Sequence, residues 1–557
     1  MTTGQQDDAQ FAARLSAYVR ARRWFRAKTR EVRGARIVDR VPLGEGAASA
    51  DNVLVLLELA YPSGAPDLYA VPLATVDGAT FASLAAESPH AVVDADRRLV
   101  DGLVSGGGAA ALFDLALQGG TRRGEHGLLR GETTPLFARH VGNPPPPPKH
   151  SAAEQTNSAA FFGDRALMKI YRQLDDGPSP EIEIGEYLTR ACESSCVPRV
   201  LGALRYQAED GASHALAIVQ ELIANQGDAW SLALRELDGM FGRAAGPPPV
   251  DAVAESGGEG LLAAVDAPPL SKTAPDAARV LGRFVSLAEK LAHRTAEMHL
   301  ALAGAPKDDP DFAPELLSPA ARRAAATRAN EMFDVALTAL MKATAPAARG
   351  HDIGDEARRL GTAVLAPAGR SRVKWLLDRL SDQPLDALRT RTHGDLHLGQ
   401  VLAVARGGAG ADVDDFVIID FEGEPARPLA ERRAKGSPLR DVMGMVRSFD
   451  YAPEAALRAR AAAPGGAGER ARLAGWARLW TAEVTAAYLR ADLRATAGAP
   501  FIPSARDQLA RLLTFHELEK VVYEIGYELD NRPAWVEIPL RGLVAIAGLG
   551  PEETHRE

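Results

Sequence analysis

The sequence predicts an α+β protein in which a small opening domain and a strand-rich lobe precede a mostly helical lobe. The boundaries fall at residues 1–90, 91–224 and 225–557. Three observations predict this. Apolar, strand-like runs such as NVLVLLELAY, RALMKIYR and HALAIVQELI concentrate before residue 224. From about residue 276 apolar residues recur at helix spacing, as in ARVLGRFVSLAEKLAHRTAEMHLALA. Inside the helical lobe one pair of short runs, QVLAVA and FVIID, reads as a β-hairpin across a Gly- and Asp-rich turn region.

A chain of 557 residues is too long for one small core and fits two or three domains. The formal charge of −9 argues against a protein built to hold nucleic acid or an anionic membrane. It leaves room for a local basic pocket around a small phosphate ligand. The only cysteines, Cys192 and Cys196, are spaced i, i+4 and could form half of a metal site. No second Cys or His pair at ligand spacing completes one, so they read as reduced structural thiols. The opening MTTGQQDDAQ lacks the basic-then-apolar pattern of a secretory signal, and no apolar run is long enough to span a bilayer. A cytoplasmic protein follows.

The elements run as follows. QFAARLSAYVRARRWF opens the chain as a helix, and NVLVLLELAY and LYAVPLA follow as strands. GNPPPPPKH at 142–150 favours an extended, polyproline-type segment in an exposed loop. SAAFFG, RALMKIYR and HALAIVQELI resume the strands, with a helix, PEIEIGEYLTRACESS, opened by Pro180 in its first turn. Residues 243–275, rich in Pro, Gly and Ala, read as a surface insertion. Helices then run to residue 390 and again after 439, with APGGAGE at 463–469 as a loop.

The chemistry centres on THGDLHLGQV at 392–401. The hairpin that follows brings its open ends together, one carrying Asp395 and Gln400 and the other Asp420 and Glu422. Hard oxygen donors of this kind suit Mg²⁺, which takes one or two protein carboxylates and leaves the rest to water and phosphate. Asp412, Asp414 and Asp415 read as solvated turn formers. Asp420 does not, because it directly follows the apolar run FVII and precedes Phe421, a poor place for a carboxylate without a partner.

Phosphoryl transfer needs an oriented nucleophile, a metal on the phosphates and a cation to hold them. Asp395 fits the orienting base, Gln400 and Asp420 the metal, and Lys169 of RALMKIYR the cation. The acidic partner of Lys169 belongs on the next helix, where Glu183 is the first candidate and Glu181 and Glu186 follow. A lone strand lysine is ordinarily a surface residue. The succession of strand lysine, helix glutamate, apolar strand, helices, D-x-x-x-x-Q, hairpin and aspartate is specific.

HGDLHLGQ followed by IDFEGEP resembles the catalytic and metal loops of the aminoglycoside-phosphotransferase group of protein-kinase-like enzymes. HGDLHLGQVL, IDFEGEPARPLAERRAKGSPLRDVMGMVRSFDYA and YEIGYELDNRPAWVEIPL resemble the maltokinase family more narrowly, and RRWFRAKTR resembles its N-terminal cap motif. The matching blocks run from about residue 22 to 542. The resemblance implies a bilobal protein-kinase-like, aminoglycoside-phosphotransferase-like fold with an N-terminal cap subdomain. It implies ATP and Mg²⁺ as cofactors and phosphorylation of maltose at its anomeric hydroxyl, feeding α-glucan synthesis beside a trehalose synthase.

Residue by residue, the resemblance makes Asp395 the catalytic base. Gln400 and Asp420 become Mg²⁺ ligands with Glu422 assisting, and Lys169 the phosphate-holding cation paired with Glu183. Gln155, Asn157 and Ser158 of EQTNSAAFFG fall in the phosphate-covering loop, and Gln220, Glu221 and Ile223 at the hinge beside adenine. Lys520, Tyr523 and Tyr527, at i, i+3 and i+7, share one helical face and match the family's sugar-binding helix. A tyrosine offers an apolar ring to a pyranose and a hydroxyl to its OH groups, but a core-packed Tyr stripe gives the same spacing. His397, next to Asp395, is placed for a substrate hydrogen bond, whereas His393 reads as structural. Arg440, Asp441, Arg447 and Asp450 read as a salt-bridged brace beneath the catalytic loop.

The cap motif has Arg26 and Thr29, and NQGDAW has Ala229, where the family favours glycine. These departures bear on the cap's role and leave the chemistry untouched. Two rivals stand beside this reading. One is a glucosamine or other sugar kinase of the same fold, whose amine-bearing acceptor Lys520 would repel. The other is a non-catalytic kinase-like scaffold using GNPPPPPKH for docking, against which Asp395, Gln400, Asp420 and Lys169 stand together.

Overall fold

The structure, a computed structural model, describes residues 3–28, 30–44, 51–142, 144–150, 157–192, 196–249, 256–345, 353–408, 410–425, 427–462 and 467–549. Two compact units divide it. One comprises Met1–Arg190, Pro198–Ala224 and Ala426–Arg432; the other comprises Ala191–Val197, Asn225–Pro425 and Arg433–Glu557.

The first unit holds two antiparallel sheets. β1 (Gly34–Pro42), β2 (Asn52–Ala60), β3 (Asp67–Thr75), β4 (Val92–Asp94) and β5 (Leu99–Asp101) form the first sheet in the order β1-β2-β3-β5-β4. The second takes β6 (Thr121–Arg123), β7 (Gly127–Thr133), β8 (Pro148–His150), β9 (Ser158–Phe162) and β10 (Ala166–Ile170). After β11 (Gln173–Leu174), which returns to pair with β3, β12 (Val200–Ala208) and β13 (Ser213–Glu221) complete it in the order β6-β7-β12-β13-β10-β9-β8. The proline run therefore ends in an edge strand. Edge strands and first strand positions tolerate proline because it has no N–H to donate.

The opening helix, Thr3–Arg20, buries Ala12, Leu15 and Val19 in one core with Val55, Leu57, Tyr69 and Val71 of the first sheet. Trp24 and Phe25 of the RRWFRAKTR stretch complete that core, their ring centroids 6.0 and 5.9 Å from Tyr69. Arg26 is exposed, and Thr29 lies outside the described residues. A buried Arg172 ties the two sheets. It lies over Trp24 at 5.0 Å and donates to Asp101 of β5 and to the Ser158 hydroxyl of β9, both at 2.7 Å. Tyr18 donates to the same Asp101 carboxylate at 2.8 Å.

The second unit is helical around one hairpin, β16 (Val401–Val404) with β17 (Asp415–Ile418), numbered after the short pair β14 (Glu315–Leu316) and β15 (Leu388–Arg389). The helices Phe284–Ala303, Leu439–Ala461 and Ala467–Ala495 pack together, with Phe284, Phe449, Trp480 and Tyr488 buried among them. The helix Arg506–Asn531 packs on Leu439–Ala461. No helix among the described residues is long and apolar enough to cross a membrane.

Three sequence expectations change. The long helical run after 276 is two helices, Pro275–Leu281 and Phe284–Ala303, because Gly282 turns at φ +79°, where a Cβ would also lie 2.6 Å from Arg243. The stretch 243–275 is not all surface. It contains the helix Gly257–Asp266, which buries Leu261 and Leu262 and approaches Arg506–Asn531 so closely that a Cβ on Gly258 would lie 1.8 Å from the Ala510 oxygen. Asp415 is no solvated turn former. It is buried at the start of β17, bound bidentately by Arg294 at 2.8 Å and again by Arg406 at 2.9 Å. Within the 463–469 stretch, residues 463–466 lie outside the described residues.

Cys196 is buried and its carbonyl accepts the N–H of Ile418; its thiol stands 3.0 Å from that of Cys192.

Candidate active site

The loop that carries Asp395 is fixed by the helix Leu439–Ala461. The Asp441 carboxylate, buried on the helix Leu439–Ala461, accepts the backbone N–H groups of His393 at 2.8 Å and Gly394 at 2.9 Å, and contacts His299 Nε2 at 3.1 Å. Ser448 of the same helix accepts the N–H of Leu398 at 3.2 Å. That helix can lie so close because residue 444 is glycine; a Cβ there would meet the Leu396 carbonyl oxygen at 2.5 Å.

His393 serves the backbone. Its Nδ1 accepts the Asp395 N–H at 3.3 Å and its Nε2 donates to the Ile419 carbonyl at 2.9 Å, which fixes one tautomer. The two loops meet at Gly394 and Gly423, both at positive φ, where a Cβ on Gly394 would lie 3.3 Å from the Gly423 Cα. His397 caps the short 3₁₀ turn Leu398–Gln400 through Nδ1, which accepts the Gly399 N–H at 3.0 Å. Burial pushes its imidazole below the ordinary histidine range, against the pull of Asp395.

Gln400 and Asp420 are joined across the open end of the hairpin, the amide Nε2 donating to Asp420 Oδ2 at 2.8 Å. This leaves the Gln400 carbonyl oxygen as its donor atom toward a cation. Asp420 sits at φ +69°, a left-handed conformation that aspartate tolerates better than most residues and that is enriched at functional loops. Amide and carboxylate oxygens from Gln400, Asp420 and nearby Glu422 are the donor chemistry of Mg²⁺.

Lys520 does more than lie on the helix Arg506–Asn531. Its Nζ donates to Asp395 Oδ1 at 3.2 Å and to Glu424 Oε1 at 3.1 Å. Arg440 takes the other oxygen of Glu424 at 3.0 Å and stands 3.7 Å from Glu519. Burial alone would lower the Lys520 ammonium, but Asp395 and Glu424 hold it well above the ordinary lysine range. Tyr523 and Tyr527 follow on the same helix, rings 6.3 Å apart and tilted 24°, with Lys520 5.1 Å from the Tyr523 ring. Tyr527 is 46% exposed, so core packing does not account for it.

The expected four-residue brace resolves into three. Asp441 holds the catalytic loop, Arg440 holds Glu424, and Arg447 pairs with Asp450 and Glu524, the latter at 2.8 Å. Glu424 is the residue that sequence reasoning missed. Its place in EGEP, two residues after Glu422, gives no sign of this; its 2% exposure in the fold marks a carboxylate that must be paired.

In the first unit Lys169, on β10, pairs with Glu181 at 3.0 Å, and Tyr171 donates to the same carboxylate at 2.7 Å. This corrects the choice of Glu183. The helix Pro180–Ala191 buries Glu181 in its first turn, and two residues of helix turn Glu183 roughly 200° away. The cross-strand partner of Ile170 is Ser158 and that of Leu167 is Gln220, so these candidates flank the lysine strand on either side. The Ser158 hydroxyl accepts from Arg172, and the Glu221 carboxylate accepts from Arg199 at 2.8 and 3.1 Å. Asn157 and Ile223 are half-buried at the ends of β9 and β13, and Gln155 lies outside the described residues.

The loop that carries Asp395, the hairpin that gathers amide and carboxylate oxygens, and the strand lysine held by a helix glutamate are each of a kind that phosphoryl transfer uses. Residues 18–104 match the family model of the maltokinase N-terminal cap domain. A glucosamine kinase of Mycolicibacterium smegmatis is 26% identical over 408 residues, 71% of this chain and 78% of the relative. Another, of Streptacidiphilus jiangxiensis, is 28% identical over 173 residues, 29% of this chain and 32% of the relative. A glucosamine kinase solved with glucosamine, ADP and inorganic phosphate shares the fold with a TM-score of 0.57 at 19% identity, over 95% of this chain and 98% of that one. A second crystal form of glucosamine kinase gives 0.59 at 19% identity, over 96% and 99%. The chain is thus similar to cap-bearing sugar kinases in its N-terminal cap and in its fold.

Proposed function

We propose that the protein transfers the γ-phosphoryl group of ATP to the anomeric hydroxyl of maltose, giving maltose 1-phosphate and ADP. The observation that carries the choice of a neutral acceptor is the Lys520 ammonium, 3.2 Å from the Asp395 carboxylate. Asp395 Oδ1 is held by that ammonium, so Oδ2 is the atom that orients the acceptor hydroxyl and takes its proton as the oxygen attacks phosphorus. The Tyr523 and Tyr527 rings offer an apolar platform to pyranose faces. Lys169, oriented by Glu181, holds the nucleotide phosphates. Gln400, Asp420 and Glu422 would hold Mg²⁺, which supplies charge neutralisation on those phosphates. A place beside a trehalose synthase, feeding α-glucan synthesis, follows from the family resemblance.

The second reading, glucosamine as acceptor, is favoured by the activity named for the relatives. The deciding experiment incubates the enzyme with ATP, Mg²⁺ and maltose, glucose, trehalose or glucosamine, and follows products by ³¹P NMR. A maltose-dependent anomeric phosphate is expected. Turnover of glucosamine alone would overturn the choice of acceptor and leave the kinase assignment standing.

A further inference from the structure

The cluster around Glu424 says what this pocket refuses. Glu424 is 2% exposed, and both its oxygens are taken, Oε1 by Lys520 at 3.1 Å and Oε2 by Arg440 at 3.0 Å. The same Lys520 occupies Asp395 Oδ1. Asp395 and Glu424, the two carboxylates that Lys520 touches, are therefore each already paired with a cation of the protein. An incoming ammonium would meet Lys520 and Arg440 and would have to share carboxylates that these cations already hold. A neutral hydroxyl suffers no such repulsion, because it can donate to one carboxylate oxygen and accept from the ammonium.

We infer that Lys520 and Glu424 form a charge filter, in which the Lys520 ammonium stands where an amino sugar's ammonium would sit and Glu424 holds it there, so that the acceptor site selects uncharged sugars. This rests on the reading of Asp395, Lys520 and Tyr523 as the acceptor site. The charged groups facing Lys520 are Asp395 on the catalytic loop, Glu424 on the metal loop, Arg440 on the helix beneath and Glu524 on its own helix. Specificity of this kind works by an introduced repulsion as much as by attraction. Remove the lysine, and Glu424 with Asp395 becomes the anionic pair that an amine needs.

The test compares glucose with glucosamine, which differ at one substituent. Binding of each to the full chain with a non-hydrolysable ATP analogue and Mg²⁺ is measured by titration calorimetry for wild type, Lys520→Met and Lys520→Met/Glu424→Gln. The glucosamine-to-glucose affinity ratio is expected to rise on the order of tenfold to a hundredfold in Lys520→Met and to fall back in the double variant. An unchanged ratio in Lys520→Met overturns the filter and makes the lysine a positioning residue for Asp395. So does a ratio that stays high without Glu424.

Should the variants fail to fold, wild type carries the test through pH. As the sugar's own amine loses its proton, glucosamine affinity should climb toward that of glucose while glucose affinity holds. A constant ratio across that titration overturns the proposal. Failure of the maltose reading is seen separately, as absent turnover of maltose in the phosphate-transfer assay with the binding ratio still shifting.

Discussion

Asp441 lies beneath His393 and accepts its backbone N–H at 2.8 Å, while the second carboxylate oxygen takes the N–H of Gly394 at 2.9 Å. One buried side chain thereby sets the conformation of the loop that presents Asp395, without touching the reacting atoms. Asp441→Asn replaces one acceptor by a donor that faces an N–H. The expected cost is about 1–3 kcal/mol of stability. The expected fall in kcat is on the order of tenfold to a hundredfold with KM for ATP little changed, because the loss is one of geometry. Thermal melts with steady-state kinetics check it; a kcat equal to wild type in a destabilised protein removes Asp441 from positioning the base.

Asp395 itself pairs with Lys520, and Asp395→Asn keeps its shape. Folding and ATP binding should persist while turnover drops by about 10²–10⁴-fold, the range for a lost general base. A melting curve and nucleotide titration beside the assay separate lost chemistry from lost structure. Turnover near wild type would remove Asp395 from its role.

The Lys169–Glu181 pair at 3.0 Å gives a sharper test of the nucleotide site than the lysine alone. Glu181→Gln should raise KM for ATP about tenfold, equal to about 1.4 kcal/mol of binding. Glu183→Gln should have the smaller effect, since Glu181 is the buried carboxylate 3.0 Å from the lysine and Glu183 lies on another helix face. Equal effects of the two substitutions would return the assignment to the helix as a whole.

Much of the candidate site is legible in the order of its motifs. D-x-x-x-x-Q and the hairpin placed Asp395, Gln400 and Asp420 because their spacing is local, and local geometry is what a sequence encodes most directly. Glu183 for Glu181 was an error of helical phase: composition names the helix and the residue type, but not which of two glutamates two positions apart faces the lysine. Glu424 and Asp415 were lost for another reason. Their partners Lys520, Arg440 and Arg294 lie 96, 16 and 121 residues away, so nothing in their own segments shows that these carboxylates are paired. The helix Gly257–Asp266 was hidden in a Pro- and Gly-rich stretch because tertiary burial of Leu261 and Leu262 outweighs weak local propensity.

The second unit's response to acid should depend on Asp415. Burial alone would raise its carboxyl, but Arg294, Arg406 and the Phe416 N–H outweigh burial and hold it at about 2 against an ordinary 3.8. A depressed carboxylate stabilises the fold above its unfolded pKa, and that contribution is lost as pH falls from about 3.8 through 2. The shift corresponds to about 2 kcal/mol. Asp415→Asn should cost at least that at pH 7 and flatten the acid limb of the stability curve. Urea midpoints taken between pH 5 and the acid limit test this, and a variant curve parallel to wild type would contradict it.

Glu517 works in the opposite sense. It is buried on the helix Arg506–Asn531, where its carboxyl accepts the Gly257 N–H at 2.8 Å. Burial pushes it up to about 7 from an ordinary 4.5, with Asp450 and Glu524 adding to the rise and the Gly257 N–H and Arg447 opposing it. Between those values the folded chain keeps a proton that the unfolded chain has lost. Stability from this group is therefore full below about 4.5 and declines as pH rises toward 7, then levels off. The penalty reached above 7 is about 3 kcal/mol. Glu517→Gln keeps an oxygen for the Gly257 N–H and cannot ionise. Its Tm should match wild type near pH 4.5, pull ahead as pH rises to 7 and hold the lead at pH 8. Scanning calorimetry across that range reads the difference directly, and a constant offset between the two proteins would mean that Glu517 does not change its charge on unfolding.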